Sequence, residues 1–308
     1  MSNILFLSAP LKERIWGGYY FRDELKVTDS NKKIGEMWSC SGHIQGESII
    51  LEGIYKGLSL SQVYKNHREI FGNPKSKEFP ILVKIIAAND DLSVQVHPND
   101  EYARKYENSL GKTEGWLILK HLPEACLVVG HNASSKEELI SFIESDSYDK
   151  LLKKVKVNDG EFYPIPSGTI HAIGKGIVLL EVQQSSDITY RFYDYHRKDK
   201  EGKERELHVK KAIDVTDITQ YSQQIKNIND IKSGELYSNQ YFKIDVQYID
   251  KVGEIVNLNG YKIVSVIDGK LKVAGRTIIL GDSFIITALD KRIKVEGKGR
   301  IAIITSGT

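Results

Sequence analysis

Phe242-Lys-Ile-Asp-Val-Gln-Tyr248 alternates apolar and polar side chains, and this period of two is the dominant pattern of the chain. Successive side chains of a β-strand point to opposite faces of a sheet, so the run predicts a strand with one buried face. Tyr261-Lys-Ile-Val-Ser-Val-Ile267 repeats the pattern, and the following Asp268-Gly269 predicts a hairpin turn. Short alternating runs separated by Gly, Asn and Asp are typical of an all-β sandwich or barrel.

Two further runs extend the strand pattern. Arg300-Ile-Ala-Ile-Ile-Thr305 is a third alternating segment near the end of the chain. Val178-Leu-Leu-Glu-Val-Gln183 is more continuously apolar, as a strand covered on both faces is. We therefore expect a mainly β protein.

Helical signals are confined to two insertions, at about 57–72 and 134–155. The segment 59–71 has helical spacing and ends at Gly72-Asn73-Pro74, a sequence that stops a helix. Ser134-Ser135 followed by Glu137-Glu138 predicts a capping box at the start of a second helix. A further short helix is predicted over Tyr148–Lys154.

The composition excludes several functional classes. The chain has 308 residues, of which 41% are hydrophobic, and its formal net charge is +2. That charge provides no broad cationic surface for nucleic acid and no polybasic anchor for a membrane. Two cysteines are too few for a disulfide framework or a thiolate zinc cluster. With no apolar run long enough for a signal peptide or a membrane span, we expect a soluble cytoplasmic protein.

A domain boundary is predicted in the polar stretch 217–233. All seven prolines and all eight histidines lie before it, and the remaining residues contain strand and turn patterns only. We expect a larger unit, 1–225, that carries the chemistry and a smaller β unit, 226–308.

The first candidate site segment is Leu92-Ser-Val-Gln-Val-His-Pro98. On a strand, Ser93, Gln95 and His97 share one face, opposite two valines. Pro98 ends the strand, so His97 lies near its end, where ligand sites are usually reached. The alternative is a polar row that faces solvent.

Two more segments carry candidate metal ligands. Lys112, Glu114 and Trp116 alternate onto one face, either as a ligand with a proton-transfer partner or as a surface ion pair. Pro166-Ser-Gly168 predicts a rigid turn that delivers His171 onto a strand. Two imidazoles, one carboxylate and one amide are a suitable donor set for a divalent metal such as zinc.

Cationic side chains appear in two otherwise apolar or aromatic strands. Arg191 shares a face with Thr189 and Tyr193, where it either presents its guanidinium to an oxyanion or forms a structural pair with an aspartate. Lys84 lies within an apolar run, so it either lines a polar cavity or extends to the surface. Glu36 is ambiguous by itself.

Together these motifs resemble the class I mannose-6-phosphate isomerases, zinc-dependent cupin enzymes, in their shorter bacterial form. The motifs are Trp16-Gly17, Gly35-Glu36-x-Trp38, Ser93-Val-Gln-Val-His-Pro98, Lys112-Thr-Glu114, Pro166-Ser-Gly-Thr-Ile-His-Ala172 and Thr189-Tyr-Arg-x-Tyr-Asp194. The resemblance implies a cupin β-barrel or jelly roll with helical insertions, followed by a second, smaller cupin-like domain.

The resemblance also implies roles for individual residues. It assigns one Zn²⁺ per chain to Gln95, His97, Glu114 and His171, and it places Lys112 and Arg191 in the active-site cavity, where we expect them to be the catalytic residues. The implied substrate-binding residues are Trp16, Glu36, Lys84, Ser93 and Glu181. One departure stands out, because longer members have His-Lys-Pro-Glu where this chain has Gly111-Lys112-Thr113-Glu114.

The implied reaction interconverts mannose 6-phosphate and fructose 6-phosphate through an enediol or enediolate. In this hypothesis Lys112 moves the proton, which requires a pKa lowered by zinc, Arg191 or burial, and Arg191 stabilises negative charge. Lys84 or Lys112 could instead bind the phosphate. The alternatives are a non-catalytic cupin that senses a sugar phosphate and an iron cupin oxygenase. We expect a monomer or a small homo-oligomer whose partner is the sugar phosphate.

Overall fold

The computed structural model describes residues 3–199 and 201–307. The protein is mainly β, with 43% of its residues in strands and 15% in helices. The strands are β1 Ile4–Phe6, β2 Leu11–Gly18, β3 Ile34–Ser41, β4 Ile81–Ala87, β5 Val94–Val96, β6 Glu114–His121, β7 Cys126–His131, β8 Leu152–Lys156, β9 Glu161–Ile165, β10 His171–Ile173, β11 Ile177–Gln184, β12 Tyr190–Tyr193, β13 Lys226–Asn227, β14 Ser233–Ser238, β15 Phe242–Val256, β16 Lys262–Val273, β17 Arg276–Ile279, β18 Ser283–Ile286 and β19 Arg292–Ser306. The α-helices are α1 Tyr20–Asp23, α2 Leu60–Asn66, α3 Asp100–Glu107, α4 Lys136–Glu144, α5 Tyr148–Leu151 and α6 Val209–Val215, and 3-10 turns cover Arg68–Phe71 and Ile228–Asp230.

The strands form three sheets. A seven-stranded sheet has the order β13-β9-β6-β11-β4-β3-β2, and a five-stranded sheet has the order β12-β5-β10-β7-β8. The third sheet has the order β1-β18-β16-β19-β15-β14, with β17 paired to β16. Strand β1 thus joins a sheet otherwise built from residues after 232, and the division at 225/226 stays a prediction.

Alternation along β4 explains how the seven-stranded sheet connects two cores. Val83 and Ile85 belong to a core that also contains Phe242 and Ile304 of the third sheet. The opposite face contributes Ile86 to a second core, which includes side chains of the five-stranded sheet such as Val129 on β7. The continuously apolar β11 is central and buried along its whole length, as the sequence predicts.

The predicted helical insertions are confirmed in part. Ser59 caps α2 with a complete capping box, and the 3-10 turn ends at Gly72. Ser135 caps α4, but the Glu138 carboxylate bonds to Ser134 instead, so that capping box is incomplete. The helix predicted over Tyr148–Lys154 ends at Leu151, because the following residues pair with β7 as strand β8. Helices α1, α3 and α6 are additional.

The prediction of a hairpin turn at Asp268-Gly269 is wrong. Both residues lie inside β16, where the register with β19 shifts between Val266 and Asp268, and Gly269 has φ of 81°. The glycine therefore serves a bulge in a continuous strand. The chain reverses at Ala274-Gly275 instead, where both residues have positive φ, as a type I′ hairpin turn requires.

Across the described residues, no helix combines the length and the apolar character that crossing a bilayer requires.

Candidate metal centre and active-site cavity

The five-stranded sheet places three of the predicted residues on one face. Gln95 on β5 is directly opposite His171 on β10 and Arg191 on β12. Residues directly opposite each other in antiparallel strands project to the same side of the sheet. The amide, the imidazole and the guanidinium therefore share a face.

The seven-stranded sheet supplies a second set of polar side chains. Glu181 on β11 is opposite both Trp116 on β6 and Lys84 on β4, and Glu114 lies two residues before Trp116 on the same face. The predicted alternation of Glu114 and Trp116 is thus present. The Trp116 ring lies 5.3 Å from the His171 ring, so this face looks onto the histidine face of the other sheet.

His97, Glu114 and His171 form a buried cluster between the two sheets. Their candidate ligand atoms all lie within 4.8 Å of one another. His97 Nε2 is 3.5 Å from Glu114 Oε2, and His171 Nε2 is 3.4 Å from Glu114 Oε1. The cluster joins residues up to 74 positions apart, so no local motif could define it.

The protonation of the two histidines suits a cation between them. His171 Nδ1 donates to the Thr169 carbonyl at 2.8 Å, which leaves the Nε2 lone pair directed into the cluster. The two Nε2 atoms are only 3.2 Å apart. Burial and nearby Lys112 lower the pKa of His171 to about 3 and hold the pKa of His97 well below its ordinary value. Both rings are therefore neutral near pH 7.

Glu114 provides a second reason to expect a cation. Its side chain is completely buried, and Oε1 accepts no hydrogen bond from any residue in the described ranges. Burial raises the pKa of Glu114 to about 7, although Lys112 opposes this rise. Two imidazole nitrogens and a carboxylate at this separation fit a divalent metal that accepts N/O ligands.

Lys112 connects this cluster to the cavity described below. Its Nζ lies 2.6 Å from Glu114 Oε2 and 2.9 Å from His97 Nε2, and its side chain is only 5% exposed. The surface ion pair considered from the sequence is therefore wrong. Burial opposes the charge of Lys112, but Glu114 and Glu181 outweigh burial and raise its pKa. A general base requires a shift in the opposite direction.

A cavity of about 420 Å³ opens next to the cluster. Its walls include all eight predicted site residues outside the cluster. These are Trp16, Glu36, Lys84, Ser93, Gln95, Lys112, Glu181 and Arg191. These eight side chains come from six strands and two loops, and the complete lining of the cavity has five cationic and three anionic side chains.

Buried ion pairs fix the acidic wall of the cavity. Lys84 Nζ lies 2.7 Å from Glu181 Oε2, so Lys84 lines the cavity rather than extending to the surface. Burial raises the pKa of Glu181, but Lys84 and Lys112 outweigh burial and bring it to about 2. Glu36 accepts hydrogen bonds from Arg14 and from Trp38 Nε1.

Arg191 is half-buried and held from two sides. Its Nη1 donates to the Glu206 carbonyl at 2.7 Å, and its Nε donates to Ser93 Oγ at 3.3 Å. Asp194, the candidate partner for a structural pair, binds Arg197 and Arg205 instead. The Arg191 guanidinium therefore remains part of the cavity wall.

Sequence reasoning missed two cationic residues that line the cavity. Arg14 shares a face of β2 with Trp16, and this spacing could have identified it. Arg205 lies on the segment after β12 and reaches the cavity through its contacts with Asp194. No local pattern marks Arg205.

The structure explains the departure at Gly111. A Cβ atom at this position would lie 2.5 Å from the Asn99 carbonyl carbon and from the Asp100 nitrogen. Real Cβ atoms do not approach backbone this closely, so the histidine of the longer family members does not fit this loop without a backbone shift.

Facing sheets with a buried His–Glu–His cluster under a polar cavity define a cupin-type site. Residues 4–124 match the family model "Phosphomannose isomerase type I, catalytic domain", and residues 232–306 match "Mannose-6-phosphate isomerase, cupin domain". A Bacillus subtilis (strain 168) protein, mannose-6-phosphate isomerase ManA, is 44% identical over 271 residues, which are 86% of each chain. The chain belongs to the type I phosphomannose isomerase family, and the cupin fold expected from the sequence is confirmed.

Solved structures agree with this assignment. The crystal structure of the mannose 6-phosphate isomerase from Bacillus subtilis superposes with a TM-score of 0.89 at 35% identity, covering 98% of this chain and 99% of that one. A mannose 6-phosphate isomerase bound with zinc and yttrium has a TM-score of 0.74 at 16% identity, with full coverage of both chains. At that identity the second likeness shows the fold alone.

Proposed function

We propose that the protein is an aldose–ketose isomerase that interconverts mannose 6-phosphate and fructose 6-phosphate. The observation that carries this proposal is the His97–Glu114–His171 cluster beside a cavity lined by Lys84, Lys112 and Arg191. The cavity suits one small anionic sugar. The name of the Bacillus subtilis relative supports the same reaction.

We propose one Zn²⁺ per chain, held by His97, Glu114, His171 and Gln95. The first three residues form the buried cluster, and the pairing of β5 with β10 brings Gln95 to the same face as His171. A zinc-containing relative of the same fold supports the choice of metal. Bound zinc supplies Lewis-acid stabilisation of negative charge on the substrate oxygens.

The phosphate and sugar hydroxyls are proposed to bind along the cavity wall. Lys84 supplies a point charge and Ser93 a hydroxyl donor, while Glu36 and Glu181 accept hydrogen bonds from sugar hydroxyls. Trp16, which is 4% exposed and packs in the core between the sheets, limits the cavity on its apolar side.

Lys112 and Arg191 are the proposed catalytic residues. Lys112 moves a proton between carbon 2 and carbon 1, and Arg191 stabilises the enediolate electrostatically. Glu114 raises the pKa of Lys112, so ligation of Glu114 by a cation would weaken that effect and favour the neutral amine.

The test is the conversion of mannose 6-phosphate by the wild type and by Lys112→Met, measured with a coupled assay alongside zinc content. We expect wild-type turnover and a loss of about 10²- to 10⁴-fold in the variant at unchanged zinc content. Activity of Lys112→Met within a few-fold of the wild type would show that Lys112 does not move the proton. A wild type that binds the substrate without converting it would favour a sugar-phosphate sensor instead.

We also propose the division into a catalytic cupin unit, 1–225, and a cupin-like unit, 226–308. The match of residues 232–306 to a cupin-domain model supports this division. Cytoplasmic location and a monomeric or small homo-oligomeric state stay predictions.

A further inference from the structure

The loop that carries Lys112 into the site is held by three consecutive backbone amides. Gly111, Lys112 and Thr113 lie between helix α3 and strand β6, and each donates its N–H to a defined acceptor. The acceptors are Asp100 Oδ1 at 2.8 Å, the Pro98 carbonyl at 3.0 Å and Gln184 Oε1 at 2.9 Å. Segments without regular secondary structure are usually mobile. The three hydrogen bonds restrict the motion of this one.

Asp100 and Gln184 form a single junction between these bonds. Gln184 Nε2 donates to Asp100 Oδ1 at 2.9 Å, the same oxygen that accepts from Gly111. The other end of the Gln184 amide accepts from Thr113. One carboxylate and one buried amide therefore hold both ends of the three-residue segment around Lys112.

The Asp100–Gln184 junction can affect the site only through the 111–113 loop that it holds. Among the described residues, neither Asp100 nor Gln184 lines the cavity or belongs to the metal cluster. Gln184 is 5% exposed and is the last residue of the central strand β11, which gives the junction a rigid base. Thr113 precedes Glu114 directly, so the same bonds orient the residue before a proposed metal ligand.

We infer that Asp100 and Gln184 are positioning residues that hold the 111–113 loop, so that Lys112 stays in the cavity wall beside the His97–Glu114–His171 cluster. This inference rests on the proposed function for its kinetic consequence. Placement errors of about 1 Å at a reacting group can reduce the rate by about 10²-fold. A hydrogen bond to a charged acceptor favours the hydrogen-bonded conformation of the 111–113 loop over conformations without that bond by about 10- to 100-fold.

The test compares Asp100→Ala with Asp100→Asn, which keeps the Oδ1 acceptor, and with Glu101→Ala, an exposed neighbour in the first turn of α3. Hydrogen exchange of residues 110–114 is measured in metal-free and zinc-loaded protein, together with kcat, KM and zinc content. For Asp100→Ala we expect exchange about 10- to 100-fold faster and kcat about 10- to 100-fold lower. KM and zinc content should change little. Glu101→Ala should resemble the wild type, and Asp100→Asn, which keeps the acceptor but loses its charge, should lose clearly less than Asp100→Ala.

Wild-type exchange and kcat in Asp100→Ala would overturn the inference, as would equal losses in Asp100→Ala and Asp100→Asn. If Asp100→Ala does not fold, Gln184→Met removes the side-chain bonds to Thr113 and Asp100 while the Gln184 N–H still donates to the Thr113 carbonyl at 3.1 Å, and wild-type behaviour of that variant has the same meaning. Absence of isomerase activity in the wild type itself would refute the proposed function, while the exchange data would still decide whether the junction holds the loop.

Discussion

Replacing Lys84 by Met removes the cation from a buried ion pair while keeping a side chain of similar length. Lys84 Nζ lies 2.7 Å from Glu181 Oε2, and the two side chains are 8% and 3% exposed. Removing one partner of such a pair lowers the free energy of unfolding by about 3–5 kcal/mol, because it leaves an uncompensated charge in a low-dielectric environment. For Lys84→Met we expect a loss of stability near the lower end of this range, because Trp116 Nε1 still donates to Glu181 Oε1 at 3.0 Å.

The pKa of Glu181 gives an upper bound on the contribution of Lys84, because Lys112 and Trp116 also lower it. Burial raises this pKa, but Lys84 and Lys112 outweigh burial and lower it from an ordinary 4.5 to about 2. A difference of this size stabilises the folded state by about 3 kcal/mol at pH 7. Because the folded pKa lies below the unfolded one, the stabilisation is complete above about pH 4.5 and disappears as the pH falls towards 2.

The assay is urea unfolding followed by tryptophan fluorescence, with a chelator present so that metal loss does not contribute. Lys84→Met, Glu181→Gln and the double variant form a cycle, in which the double variant should cost at least about 1 kcal/mol less than the sum of the single changes. Lys120→Met is the matched control, since its pair with Glu24 is half exposed and should contribute under about 1 kcal/mol.

Two results would refute the reasoning about this pair. One is a loss below about 1 kcal/mol in Lys84→Met at pH 7. The other is additivity of the two single changes. The difference in the free energy of unfolding between the wild type and Lys84→Met should also decrease between pH 4.5 and pH 3. A constant difference would show that Lys84 does not determine the pKa of Glu181.

Three further predictions concern single positions. Ser59→Ala removes the capping box of α2 and should cost about 1 kcal/mol in urea unfolding; no loss would show that the cap is not stabilising. Gly111→Ala forces a Cβ against the Asn99–Asp100 backbone, so kcat should fall about tenfold or more, and a fully active variant would contradict the close packing seen there. Arg191→Lys keeps the charge but loses the planar fork held by Ser93 and Glu206, so kcat should fall about 10- to 100-fold with a smaller change in KM. Unchanged kcat would remove Arg191 from the catalytic set.

The strands and their faces were predictable because alternation is a local property of the chain. The pattern placed Glu114 with Trp116 on one face and identified Phe242–Tyr248 as part of a strand, and both are confirmed. The hairpin at Asp268-Gly269 failed because a glycine with positive φ fits a bulge as well as a turn. Only pairing with β19 distinguishes the two.

The family motifs identify the candidate site residues, but the spacing of these residues along the chain does not show that they meet in space. His97 and His171 are brought together by the pairing of β5 with β10, a long-range register that no run of residues contains. The same limit applies to the Asp100–Gln184 junction, whose two residues lie 84 positions apart. Lys84 was identified as unusual because a lysine in an apolar strand needs a partner, but its partner Glu181 emerged only from the register of β4 with β11.

The central claim is that the His97–Glu114–His171 cluster holds the metal on which isomerisation depends. The most direct measurement follows zinc content and mannose 6-phosphate turnover on the same samples of wild type and His97→Ala during chelation and zinc addition. We predict one zinc per wild-type chain, turnover that falls and recovers in proportion to zinc, and neither zinc nor turnover in His97→Ala. Undiminished turnover in metal-free protein, or in a His97→Ala variant without zinc, would contradict the account.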